Sequence, residues 1–149
     1  ANAKIEKKIE HLQGSDKTGG YSIKNLRNFL KKHKIGRARY LTLFDAIYGK
    51  MMVNLNLEDF EIVTKNARKA KFYSFEVSPI LNADELLKPK LKGMNNAILI
   101  LTGNKETTLD ELAYVWDYTL KYLPKNGKTT FAYKIDDVKK LQLNLMAVK

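Results

Sequence analysis

The sequence predicts an α/β (α+β) fold: a four-stranded mixed sheet with helices mainly on one face, preceded by a basic helical N-terminal segment. Three observations carry this. Ala97-Ile98-Leu99-Ile100-Leu101 is an unbroken apolar run ending in Thr102-Gly103, the pattern of a central strand covered on both faces. Lys71 to Val77, Thr129 to Ile135 and Leu141 to Val148 read as further strands, and Leu141, Leu143 and Leu145 keep the two-residue period that marks one covered face. Thr108-Leu109-Asp110-Glu111 opens a helix with a capping box, Thr at the cap and Glu three residues on. A length of 149 residues and a 44% hydrophobic fraction suit one domain with a small appendage.

Along the chain, residues 1–20 read as a basic arm and linker. Ile5, Ile9 and Leu12 fall at helical spacing, and Gly14-Ser15-Asp16-Lys17-Thr18-Gly19-Gly20 breaks the pattern. Residues 21–50 form the basic helical segment. Ser22 is placed to cap a helix that buries Ile23, Leu26, Phe29 and Leu30, turns Lys24, Arg27, Asn28, Lys31, Lys32 and Lys34 outward, and ends near Gly36. Arg37-Ala38-Arg39-Tyr40 is then a connector, and Thr42 caps a second short helix ending at Gly49.

Residues 51–149 make the α/β core. Asn56 caps a helix from Leu57 to about Ala70, with Phe60, Val63, Thr64 and Ala67 inward and Glu58 and Asp59 at the positive end of its dipole. Pro79 ends the first strand, and Ala83 to Leu87 makes one helical turn before Pro89. The helix after Thr108 places Leu109, Leu112, Ala113, Trp116, Leu120 and Leu123 on one stripe and stops at Pro124 and Asn126-Gly127. The last two strands join around Asp136-Asp137.

Charge is unevenly distributed. The net charge is +11, and residues 1–50 hold 12 basic and 4 acidic side chains, leaving +8 in the first third. That asymmetry points to an anionic partner near the N-terminus, and nucleic acid is the commonest. Zero cysteines exclude disulfides, thiol catalysis and thiolate metal sites. His11 and His33 stand 22 residues apart with no carboxylate cluster at ligand spacing, so no metal and no cofactor is expected. The pairs Glu58-Asp59, Asp84-Glu85 and Asp110-Glu111 sit in first helical turns, where acids complement the dipole, and Asp136-Asp137 sits in a turn. No phosphate-cradling loop pattern occurs, although Thr102-Gly103-Asn104-Lys105 is a candidate anion-binding turn. With no apolar run long enough to span a bilayer and no apolar signal core, a cytoplasmic protein with no membrane contact is expected.

The local feature these charges favour is Ser22 to Tyr48. Its helix, basic residues, short loop and second helix, with Ile23, Leu26, Leu30 and Ile35 and then Leu43 and Ile47, resemble the helix-extension-helix of SAP-like and Rho N-terminal-like modules. That resemblance implies nucleic-acid binding. Lys24, Arg27, Lys31, Lys32, Lys34, Arg37 and Arg39 are the candidate phosphate contacts, and Tyr40 is a candidate stacking platform. A non-enzymatic nucleic-acid-binding protein is the leading expectation, with DNA or RNA left open.

Residues 54–148 carry a second resemblance. Asn54-Leu55-Asn56-Leu57-Glu58-Asp59-Phe60 is similar to the loop of pattern N-x-D-x-x-D in the C-terminal domain of the FtsZ/tubulin-like family. Ala97 to Gly103 followed by Thr108-Leu109-Asp110-Glu111, and then two closing strands, is similar to the same domain. The resemblance implies a cytoskeletal module, working with a protein partner or as a homo-oligomer, whose loop completes a neighbour's GTPase site. Asn54, Asn56 and Asp59 take the loop positions, Asn56 standing where the family has an acid. The family's GTP-binding half and its Gly-rich loop are absent from these residues. A third expectation is a metal-dependent nuclease without a legible motif, for which Lys71, Glu76 and Asp84 are the nearest residues.

Overall fold

The computed structural model describes residues 23–77 and 82–149. The expected arm and linker, the Ser22 cap and the Pro79 break lie outside the described residues. The elements run α1 (Ile23–Lys32), α2 (Arg37–Tyr48), α3 (Leu57–Thr64), β1 (Ala70–Val77), α4 (Ala83–Leu91), β2 (Asn96–Gly103), α5 (Leu109–Tyr122), β3 (Thr129–Ile135) and β4 (Leu141–Val148).

The four strands form one mixed sheet in the order β1-β4-β2-β3. β2 pairs parallel with β3, and β4 pairs antiparallel with both β1 and β2. The closing strands β3 and β4, consecutive in sequence, are therefore separated by β2. Fully apolar β2 is central, as its composition predicts.

Both faces of the sheet are covered. On one, Ile98, Ile100, Phe72, Met146 and Val148 meet α1, α2 and α3 through Leu26, Phe29, Leu43, Phe60 and Val63. On the other, Leu99, Leu101, Leu143 and Leu145 meet α4 and α5 through Leu87, Leu91 and Val115. Three helices thus share one face and two cover the opposite one. In β4 the single-face alternation holds only at its start: Gln142 is exposed, whereas Leu145 to Val148 is buried throughout.

Several boundaries depart from the sequence reading, each for a local reason. α1 stops at Lys32, before Gly36. Lys34 takes a left-handed φ of 56°, and the amides of Ile35 and Lys34 bond back to the carbonyls of Leu30 (2.8 Å) and Lys31 (3.1 Å). This is the double hydrogen bond of a left-handed helix stop, made with lysine in place of glycine. Arg37-Ala38-Arg39-Tyr40 is the first turn of α2, closed by the Tyr40 amide on the Gly36 carbonyl at 3.1 Å. Thr42 is inside α2, donating its hydroxyl to the Ala38 carbonyl at 3.0 Å. α3 ends at Thr64, and Asn66 turns the chain at φ 60°. α4 runs through Pro89 to Leu91, because Ala83, Leu87 and Leu91 lie on one stripe and are completely buried. Burial of Leu91 offsets the hydrogen bond that Pro89 cannot make.

The stripe of α5 is also rotated from expectation. Val115 and Thr119 are completely buried, while Leu109 is 82% and Leu120 45% exposed. The Thr119 hydroxyl donates to the Val115 carbonyl at 2.8 Å, so a residue that counts as polar in the sequence packs as an apolar one.

Candidate functional site

Between α2 and α3 the chain makes a loop fixed at both ends by asparagine side chains. The Asn54 amide nitrogen donates to three carbonyls, Gly49 at 2.9 Å and Ala46 and Ile47 at 3.3 Å, which α2 leaves without helical partners at its C-terminus. Asn56 accepts from the Glu58 amide at 2.7 Å and caps α3 as the sequence predicts. The Leu55 amide bonds to the Ala46 carbonyl at 2.8 Å, and Leu55 is buried in the core between them. Asp59 is exposed in the first turn of α3.

The loop is also joined to the sheet edge. The Met52 and Val53 amides donate to the Tyr133 carbonyl at 2.8 and 3.1 Å, and the Tyr133 amide returns to the Val53 carbonyl at 2.9 Å. Val53 thereby forms an antiparallel bridge to the outer edge of β3. On the α5 side of that edge, Leu109, Leu112 and Trp116 face Phe131, Met52 and Val53 across a groove of about 370 Å³. Sequence reading missed this groove because it assigned the same α5 residues to the core. On the opposite face a cleft of about 360 Å³ opens between α2 and the sheet, where Lys134 lies 3.6 Å from Asp45.

The basic residues are placed as follows. Lys24, Arg27 and Lys31 share one stripe of α1 by their spacing. Arg27 donates to the Tyr40 hydroxyl at 3.2 Å and stacks 5.6 Å from that ring, tying α1 to α2. Arg39 bonds to the Phe72 carbonyl and lies 5.0 Å from the Phe72 ring, tying α2 to β1. Two arginines and Tyr40 are therefore engaged in holding helices together. Lys34 forms the left-handed stop of α1, Lys32 lies a step round from the Lys24 stripe, and Arg37 opens α2.

Other expected sites do not assemble. Asn104 and Thr107 close the turn after β2 on themselves: the Asn104 amide bonds to the Thr107 hydroxyl at 3.0 Å and the Glu106 amide to the Asn104 side chain at 2.8 Å. Amides expected to face an anion are satisfied internally. A side chain at Gly103 would come within 2.6 Å of that Thr107 hydroxyl, so glycine keeps the turn closed. Lys71 and Glu76, five residues apart on β1, point to opposite faces, and Asp84 accepts a hydrogen bond from Tyr122. Among the described residues no group of three or more His, Asp or Glu stands where it could hold a metal, and no helix is long and apolar enough to cross a membrane.

Two groups titrate away from their ordinary range for visible reasons. The Tyr118 hydroxyl is pushed up to about 12, chiefly by its hydrogen bond with Tyr114, with desolvation adding to it. His33 is held below 6.5 by desolvation first and the Lys32 charge second. Its ring lies 4.5 Å from that of Phe29, and its buried Nε2 has no hydrogen-bond partner.

No family model and no curated protein matches this chain. Solved structures do. An empty FtsZ dimer from M. jannaschii aligns with a TM-score of 0.62 and 19% identity over 73% of this chain and 35% of its own. A second M. jannaschii FtsZ, a mutant, aligns at 0.59 and 15% over 100% of this chain and 52% of its own. CetZ from Methanosaeta thermophila aligns at 0.51 and 16% over 75% of this chain and 34% of its own. The chain thus spans about a third to a half of the length of the structures it matches. At these identities the likeness is one of fold: the chain is an α/β domain that resembles the C-terminal domain of FtsZ/tubulin-like proteins.

Proposed function

We propose that this domain joins or regulates a cytoskeletal filament of the FtsZ/tubulin type, presenting the loop from Gly49 to Asp59 to a neighbouring subunit. The observation that supports it is the loop itself. In a fold like that of FtsZ, it is held rigidly between two helices and the sheet edge, so its outer residues are offered to a partner with little ordering cost.

The loop's chemistry favours contact over full activation of hydrolysis. An amide neither accepts a proton from water nor polarises it strongly, and the Asn56 oxygen is already bonded to the Glu58 amide. Asp59 is the one carboxylate among the three loop positions. A subunit with this loop would enter a filament and slow nucleotide turnover at the junction it makes. The nucleic-acid reading of the basic helices gains no support from the structural neighbours, and Arg27 and Arg39 have structural roles.

The test is sedimentation and light scattering with an FtsZ-type GTPase and GTP. Co-pelleting with the polymer, together with lowered phosphate release, supports the reading. A chain that neither joins nor alters the polymer sinks it.

A further inference from the structure

The groove beside β3 is apolar on both walls, and its residues are unusually open for side chains of their kind. Leu109 is 82%, Met52 66%, Val53 42% and Phe131 37% exposed. An apolar surface of this sort in a soluble domain marks something that covers it.

We infer that the chain's own residues 4–12 dock as an amphipathic helix in the groove between α5 and the loop wall of Met52 and Val53. Three observations select this occupant. In a helix, Ile5, Ile9 and Leu12 fall within an arc of about 60°, a narrow apolar stripe suited to a groove. The flanks of that stripe differ in sign, with Lys4 and Lys8 on one side and Glu6 and Glu10 on the other. The groove's walls differ in the complementary sense: exposed Asp110 and Asp117 border the α5 wall, and exposed Lys50 precedes the loop wall. Charge therefore fixes the direction in which the helix lies as well as its presence.

The tether is long enough. Residues 14–22 span up to about 30 Å when extended, on the order of the diameter of a small domain. A tether of that length gives an effective concentration on the order of millimolar, so even weak docking is populated. A second copy of the chain is a poorer occupant, since a net charge of +11 makes copies repel. Docking stands without the filament reading. If that reading holds, the segment also governs access to Met52 and Val53 at the edge of the contact loop.

Trp116 is the chain's single tryptophan and lies on the groove's α5 wall, so its fluorescence reports the groove directly. The measurement compares the full chain with its Ile5→Lys/Ile9→Lys variant and with a chain lacking residues 1–20. In both altered chains the expected result is emission at longer wavelength and acrylamide quenching raised about twofold as the indole loses its cover. A peptide of residues 1–13, added at about millimolar concentration to the shortened chain, reverses both changes. Unchanged emission and quenching in both altered chains overturns the inference. So does Trp116 protection that rises with protein concentration and survives the deletion, which would identify a second copy as the cover. Because no filament partner is present, failure here leaves the polymer test untouched, and failure there leaves this one untouched.

Discussion

Asn54 offers a direct test of how the contact loop is built. Its amide carries two hydrogens and reaches three carbonyls, one at 2.9 Å and two at 3.3 Å, so it makes one good bond and shares a second. The residue is exposed, and water replaces part of what is lost on truncation. Asn54→Ala is therefore expected to cost about 1 kcal/mol, near the mean for a net hydrogen bond. For a chain of this length that is a fall in Tm of about 4 °C. Asn54→Asp is the sharper perturbation. It is nearly isosteric, but it replaces two donors with a carboxylate facing three carbonyl oxygens at the negative end of the α2 dipole. Its cost is about 2 kcal/mol, a fall of about 8 °C. Thermal unfolding followed by circular dichroism measures both. If Asp proves no worse than Ala, the side chain does not act as a donor to the end of α2, and this account of the loop fails.

Asn56→Asp keeps a good helix cap, so stability stays within about 0.5 kcal/mol, while an acid returns to the position where the FtsZ/tubulin-like pattern has one. In a mixed polymer, phosphate release is expected to rise above that seen with the unaltered chain. Lys34→Gly relieves the left-handed φ of 56° and is expected to raise the urea midpoint, by about 0.5–1 kcal/mol after the flexibility of glycine in the unfolded chain is set against the gain. Phe60→Ala empties a completely buried site whose ring meets Phe29 edge-on at 5.7 Å; a loss of about 4 kcal/mol in urea unfolding is expected. His33 gives a pH signature. Its native pKa is lowered, so between that value and 6.5 the unfolded chain binds more protons. This contribution to stability is complete above pH 6.5, declines as pH falls below it, and levels off once the native ring is protonated too. Urea midpoints across this range should show that decline, and His33→Gln should remove it.

What the sequence makes legible is what short-range rules control. β2 is read from one apolar run, α3 from Asn56 and its paired acids, and the start of α5 from Thr108, whose hydroxyl accepts from the Glu111 amide at 3.2 Å. The strands are found within a residue of their ends. Long-range packing decides the rest. The rotation of α5 depends on Thr119 satisfying its hydroxyl within the helix, which hydropathy does not register. The passage of α4 through Pro89 depends on a site that buries Leu91. At the loop, Asn54, Asn56 and Asp59 are legible as a pattern, but the pattern does not say that Asn54 turns inward to the end of α2. The basic segment is legible as charge, whereas the use of Arg27 on Tyr40 and Arg39 on Phe72 appears only when the helices meet the sheet.

The same hydrogen bonds that order the contact loop also determine what it can do. Asn54 uses its donors on the end of α2, and Asn56 uses its oxygen on the start of α3, so both amides are committed to shape. Replacing an acid by an asparagine at the second position costs the fold nothing, because either residue caps the helix. It does cost proton chemistry, because only the acid can serve as a base. Selection for a rigid contact surface therefore tolerates Asn56, and selection for hydrolysis does not. The apolar groove beside Met52 and Val53 fits the same logic: an exposed surface of that size is a liability to a solitary domain and an asset to one that docks. The loop and the groove meet at one edge of the sheet, away from the arginines that hold α1 and α2, which separates the surface for partners from the side chains that hold the fold together.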